Sequence, residues 1–300
     1  MRECLFIFEF IFLMKKCAIL TMDNIDKYVQ YDTLLNQPMI EAGWNIEYVC
    51  WREKGVNWSN YLVVIIRSTW DYQDDTNAFL QVLKKIDESS SQLLNSLKIV
   101  KWNINKKYLQ ELEESGVEIV PTFWLEKFNI NLINDYYSLF NTNQIVIKPT
   151  ISAGADNTFW LKKDSYNTKH KILEESLKGK QLMVQPFIPA VIEEGEYSLF
   201  YFSGNYSHCI LKTPKSGDFR VQEEFGSTLL SIKPSASLLK AAEIALNAIP
   251  EKVLYARIDL VSFNGTYKLM ELELIEPSLY FNLDINSPAR FVKAFYEWMK

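Results

Sequence analysis

"LMELELIEPS" (residues 269–278) sets Glu271, Glu273 and Glu276 among apolar neighbours near the end of the chain. Read as a strand over 268–275, it sends Glu271 and Glu273 to one face and Met270, Leu272 and Leu274 to the other. Two acids on one face repel, and Glu is poorly suited to strands. The pair therefore needs a cation or a fully wet surface. A hard divalent metal held through oxygen would satisfy it, and so would an edge strand facing water.

The surroundings favour an enzyme-sized globular chain. With 300 residues, 48% hydrophobic and 14% aromatic, it can bury a sizeable core in two lobes or two domains. The net charge of -5, with Lys and Arg scattered, leaves no electrostatic footprint for nucleic acid. Cys4, Cys17, Cys50 and Cys209 are widely spaced, and His170 and His208 are the only histidines. Neither a zinc site nor a His-activated nucleophile has the residues it needs, and free thiols suit a cytoplasmic protein. The apolar run Leu5 to Leu13 is too short for a bilayer and lacks a cleavage pattern, so residues 1–13 read as an extension or mis-called start.

From Met14 the pattern is strand, helix, strand. "CAILT" (17–21), "NIEYVC" (45–50) and "YLVVIIRS" (61–68) are apolar enough for a parallel sheet covered on both faces, with Asp32 capping the first helix and "KIVKW" (98–102) as a last strand. The loop after the third strand leaves its carboxyl end, where open α/β sheets present ligand groups. Arg67, Thr69, Trp70, Asp71 and Tyr72 are substrate candidates, the alternative being a polar loop with one packed tryptophan. A boundary falls near 102–106. Beyond it, six strands from "QIVIKP" (144–149) to "TYKLMELELI" (266–275), with hairpin signals "SGN" and "FNGT", predict a largely antiparallel α+β region.

Lys148, in an apolar strand before the small-residue loop holding Ser152, Ala153 and Gly154, suits phosphate contact, though no Walker G-K-[ST] is present; a solvated strand-end lysine reads equally well. "QPFIP" (185–189) reads as a hinge for an adenine edge or as a proline-bounded crossover. The order of these features, continued by "EEGEYS", "GDFR" and "ARIDLV", resembles the ATP-grasp superfamily over residues 14–300. Within it the likeness is to glutathione-synthetase and RimK-type ligases, nearest the O-ureido-serine cyclo-ligase-like group.

The resemblance implies a pre-ATP-grasp α/β domain (14–105) and an ATP-grasp domain (106–300) of two α+β subdomains, 106–187 and 188–300, with ATP between them. It implies that Lys106 and Lys148 meet the phosphates, with Ser152 and Gly154 in the phosphate loop. Gln185, Phe187 and Ile188 line the adenine hinge, Glu196 meets the ribose, and Arg220 steadies the transferred phosphoryl group. Asp259, Glu271 and Glu273 stand as ligands of Mg2+, with Mn2+ as an alternative ion. Arg257 and Ser278 join the substrate candidates, Arg257 reading equally as the partner of a neighbouring acid, while Glu276 reads as substrate edge or turn.

The chain departs from glutathione synthetases at Tyr197 and Ser198, where they carry an arginine soon after the acid, and at Glu273, commonly Asn; its phosphate loop is also poorer in glycine. The implied activity is an ATP-dependent ligase acting on an amino-acid-like or peptide-like substrate through an acyl phosphate. A homodimer is an allowed assembly, and neither nucleic acid nor membrane is an expected partner. A nucleotide-binding protein without ligase activity and a small-molecule kinase remain open.

Overall fold

The computed structural model describes residues 14–26 and 28–300, so the expectation for residues 1–13 lies outside the described residues. The first sheet is parallel, in the order β2-β1-β3-β4: β1 Lys15–Thr21, β2 Trp44–Cys50, β3 Val63–Ser68 and β4 Gln92–Leu94. The two inner strands, β1 and β3, are buried on both faces, as their apolarity predicts, whereas the edge strand β2 leaves Tyr48 exposed. Cys17, Ile19, Val63 and Ile65 enter one core, and Ala18, Leu20, Val64 and Ile66 enter another. Helices α1 Asn36–Glu41 and α2 Thr76–Asp87 connect the strands.

Two local expectations are corrected. "KIVKW" is not a strand but part of helix α3, Leu97–Asn103, and the last strand is the shorter β4 before it. Ser96 caps the helix, its hydroxyl accepting from the Ile99 amide at 3.2 Å. Leu97 and Val100 face one core while Ile99 faces another, so the helix is apolar on two sides and its sequence mimics a strand. Asp32 caps nothing: it is buried, and takes Arg67 and Ser68 instead.

Helix α4 Tyr108–Glu114 leads into an antiparallel sheet ordered β5-β8-β6-β7: β5 Phe123–Leu125, β6 Gln144–Pro149, β7 Phe159–Lys162 and β8 Leu182–Pro186. Helices α5 Ile133–Leu139 and α6 His170–Leu177 share its core. After the short α7, Ala190–Glu193, comes a five-stranded antiparallel sheet in the order β11-β10-β9-β12-β13. Its strands are β9 Glu196–Phe202, β10 Asn205–Thr213, β11 Thr228–Ser231, β12 Tyr255–Phe263 and β13 Thr266–Glu273. Both predicted hairpins form, with positive φ at Ser203-Gly204 and Asn264-Gly265, as two-residue turns that match strand twist require. Between α4 and β5 a single bridge pairs Ile119 with Leu269.

Helix α8 Ala236–Asn247 covers the far face of the third sheet, and α9 Ser287–Trp298 closes the molecule. Phe291 and Phe295 of α9 enter the core of the first sheet, where Phe295 meets Trp44 edge-on at 4.8 Å. The α/β plus α+β organisation is thus observed. Among the described residues no helix is long and apolar enough to cross a membrane.

Candidate active site

The third sheet's register builds a charged belt. Lys212 on β10 lies opposite Glu196 on β9, Ser198 opposite Asp259 on β12, and Asp259 and Arg257 opposite Glu271 and Glu273 on β13. Cross-strand neighbours on one face interact directly, so strand pairing itself sets Lys212 against Glu196 and Arg257 against Glu273, while Asp259 and Glu271, both acids, find cations elsewhere. Lys212 Nζ is 2.5 Å from Glu196 and 3.5 Å from Asp259. Arg257 donates to both Asp259 and Glu273, and Ser198 Oγ donates to Asp259.

The alternation read from "LMELELIEPS" holds for the acids and fails at Met270. Leu260 pairs with Leu269 and Asp259 with Glu271, so Met270 is the extra residue of a β-bulge. Leu269, Leu272 and Leu274 therefore share one core, while Met270 turns to the cavity side and packs beside Ile188 and Val191.

A cavity of about 550 Å³ opens over the belt, within the range of small-molecule sites. Lys106, Lys148, Ser152, Gly154, Gln185, Phe187, Ile188, Glu196, Arg220, Glu271 and Glu273 all line it. Lys106 Nζ bridges the Ser152 carbonyl at 2.7 Å and Glu271 at 2.9 Å, tying the small-residue loop to the belt. Lys148 makes no ion pair among the described residues; burial lowers its pKa, partly offset by Glu271. Arg220 is chelated by Asp218, whose carboxyl it holds down at about 2, and stacks on Phe225 at 3.7 Å.

The hinge is more ordered than its two prolines suggest. Gln185 and Pro186 pair with β6, and Phe187 donates its amide to Gln144. Phe187 also stacks on Trp160 at 4.3 Å, and the Ile188 amide has no backbone acceptor among the described residues.

The substrate candidates divide. Trp70, Tyr72, Arg257 and Ser278 line the cavity; Arg67, Thr69 and Asp71 do not. Arg67 is 1% exposed and locked to Asp32 at 3.0 Å, and Asp71 accepts from Trp51 and Arg52. Asp259, 2% exposed, lies beneath Arg257 and Lys212 rather than on the cavity wall. Lys212 went unrecognised because its meaning comes from register, which "ILKT" alone does not reveal. Asn103 and Tyr108 were missed for the same reason: they bond to the open edge of β13 at Leu272 and Leu274.

The acids of the belt offer the oxygen donors that suit a hard divalent ion, and Glu196, Glu271 and Glu273 among them stand on the cavity wall. As placed, the acids are neutralised by protein cations, and among the described residues no three acidic, His or Cys side chains form a metal-sized cluster. Burial pushes Glu273 up to about 7 against Arg257, whereas Lys106 and Lys148 overcome burial and keep Glu271 low. The belt therefore carries acids able to exchange a protein cation for a metal.

Comparison with known proteins identifies the family. Residues 125–279 match the family described as prokaryotic glutathione synthetase, ATP-grasp domain, and residues 17–95 match that of the D-cycloserine synthetase DcsG N-terminal domain. The chain is 25% identical to the cycloserine biosynthesis protein DcsG of Streptomyces lavendulae, over 94% of this chain and 98% of that one. The crystal structure of D-cycloserine synthetase DcsG superposes with a TM-score of 0.84 at 24% identity, covering 95% and 100% of the two chains. D-alanine–D-alanine ligase from Bacillus anthracis gives 0.68 at 15% identity, covering 95% and 96%. The ATP-grasp ligase PsnB, solved with Mg and ADP, gives 0.64 at 14%, covering 95% and 97%. The chain belongs to the ATP-grasp family of the prokaryotic glutathione synthetase type.

Proposed function

We propose that this ATP-grasp protein is a ligase that activates the carboxylate of an amino-acid-like or peptide-like substrate. The carboxylate oxygen attacks the γ-phosphorus of ATP, the bond to the ADP oxygen breaks, and an acyl phosphate forms. An amine or similar nucleophile then attacks the acyl carbon, and phosphate leaves. The observation that carries this reading is the cavity itself, whose wall brings Lys106, Lys148 and Arg220 together with Glu271 and Glu273. Cations there would meet the phosphates; positioning and charge supply the catalysis, and no protein nucleophile is needed.

ATP would lie between subdomains 106–187 and 188–300, its adenine at Gln185, Phe187 and Ile188, its ribose at Glu196, and its phosphates at the loop of Ser152 and Gly154. Glu271 and Glu273 would hold Mg2+, or Mn2+, with Asp259 completing the set once Arg257 and Lys212 release it. The metal supplies charge neutralisation of the phosphates when bound. The two relatives named for a cycloserine synthetase and a D-alanine–D-alanine ligase both handle amino-acid derivatives, which supports the substrate class. A cytoplasmic location fits an ATP consumer with free Cys17, Cys50 and Cys209.

The test measures ADP, free phosphate and product mass over a panel of amino acids and dipeptides. A ligase releases ADP and phosphate together with a condensed or cyclised product. A phosphorylated product without free phosphate would make it a kinase, and no substrate-dependent ADP would sink the ligase reading. The double change Glu271→Gln with Glu273→Gln is expected to cut Mg2+-dependent turnover by about 100-fold or more while the fold is retained.

A further inference from the structure

Past Glu273 the chain leaves the sheet, yet its backbone remains held. Leu274 carbonyl accepts from Asn95 Nδ2 at 2.8 Å, and Ile275 carbonyl lies 2.8 Å from the Tyr255 hydroxyl. Glu276 carbonyl accepts from Trp70 Nε1 at 2.8 Å, and Pro277 carbonyl accepts from Arg67 Nη2 at 2.8 Å. Four successive carbonyls thus meet four side chains, three of them from the first sheet's region. A segment without a strand partner satisfies its backbone this way only where its course is fixed.

What this fixed segment presents is the Glu276 side chain, on the cavity wall and partly exposed to it. The other part-buried or buried acids here each have a cation: Glu196 has Lys212, Glu271 has Lys106, and Glu273 has Arg257. Glu276 has no ion pair among the described residues. Burial, then Glu273, pushes its carboxyl up to about 8, and the nearby Lys106 and Arg257 offset only part of that rise. Beside it stand Trp70 and Tyr72, with Tyr28 against Trp70 at 5.4 Å, and aromatic faces also favour a cation. The lining therefore offers two kinds of contact: Lys148 and Arg220 suit anions, whereas Glu276 with Trp70 and Tyr72 suits a cation.

We infer that Glu276 binds the ammonium group of the amino-acid-like substrate, and that Trp70 and Arg67 are positioning residues that hold its backbone. The inference rests on the ligase reading above and assigns the residue that meets the substrate's amine. It also gives Arg67 a role although its guanidinium never reaches the cavity.

The test uses the full chain at saturating ATP, following ADP release with free amino acids and with the same amino acids N-acetylated. Glu276→Gln is expected to raise KM for the free-amine substrate by about 10- to 100-fold, the worth of a charge-assisted bond, with KM for ATP unchanged. Glu276→Asp should recover part of the loss, and N-acetylated substrates should no longer distinguish wild type from Glu276→Gln. Trp70→Phe keeps the ring and removes the N–H; it should raise the same KM several-fold and leave that for ATP alone. An unchanged amino-acid KM in a Glu276→Gln protein that still turns over ATP overturns this inference and leaves the ligase reading standing. Absence of any amino-acid-dependent ADP release from the wild type overturns both.

Discussion

Arg67 illustrates what a single residue's sequence position can and cannot say. Its place at the carboxyl end of β3 marks it as a ligand candidate, since open sheets gather ligand groups there, yet its side chain does not line the cavity. Its depth depends on Asp32, 35 positions earlier, and on Pro277, 210 positions later, which no local pattern reveals. Because both members of the Arg67–Asp32 pair are buried, removing one strands the other without a partner. Arg67→Met should therefore cost about 3–5 kcal/mol, read as a lower urea midpoint. Truncating Lys84 of the exposed Lys84–Glu88 pair should cost about 0.5 kcal/mol or less, and equal losses would refute the distinction.

At the scale of elements, strands bounded by turn signals were legible and their irregularities were not. "SGN" and "FNGT" name their turns because positive φ needs such residues, whereas the bulge at Met270 arises from the pairing of two strands and leaves no signature in one. The helix over "KIVKW" escaped for a related reason, since two cores claim opposite sides of it. Gly195 shows the reverse, a glycine whose necessity appears only in three dimensions. It has φ +122, and a Cβ there would lie 2.7 Å from the Lys212 carbonyl. Gly195→Ala must push β9 from β10 just where Glu196 and Lys212 pair. We expect a loss of about 1–3 kcal/mol in urea unfolding together with a raised KM for ATP, because Glu196 is the next residue. Stability lost with ATP affinity intact would show that Glu196 does not depend on this approach.

The whole molecule joins units that the sequence separates. The ordered motifs made the ATP-grasp organisation readable, but the packing of α9 on the first sheet and the clamp on residues 274–277 are long-range contacts between its ends. The cavity they frame holds two acids that burial raises, and this has a pH consequence. Glu273 is raised to about 7 and Glu276 to about 8, in each case first by burial, while unfolded carboxyls titrate near 4.5. Between these values the native state holds protons that the unfolded chain has released, so stability falls as pH rises. His208, lowered to about 4 by burial, acts oppositely, but only below its unfolded value of 6.5. From pH 6.5 to 8 the acids act without that opposition, and the buried thiols, raised in the same sense, add to the fall toward its upper end. The urea midpoint of the ligand-free protein should therefore decline across this window, and Glu276→Gln should flatten the decline by removing one of the titrating groups. A midpoint that rises over the window, or a slope identical in the variant, would mean that these carboxyls are already ionised in the folded protein.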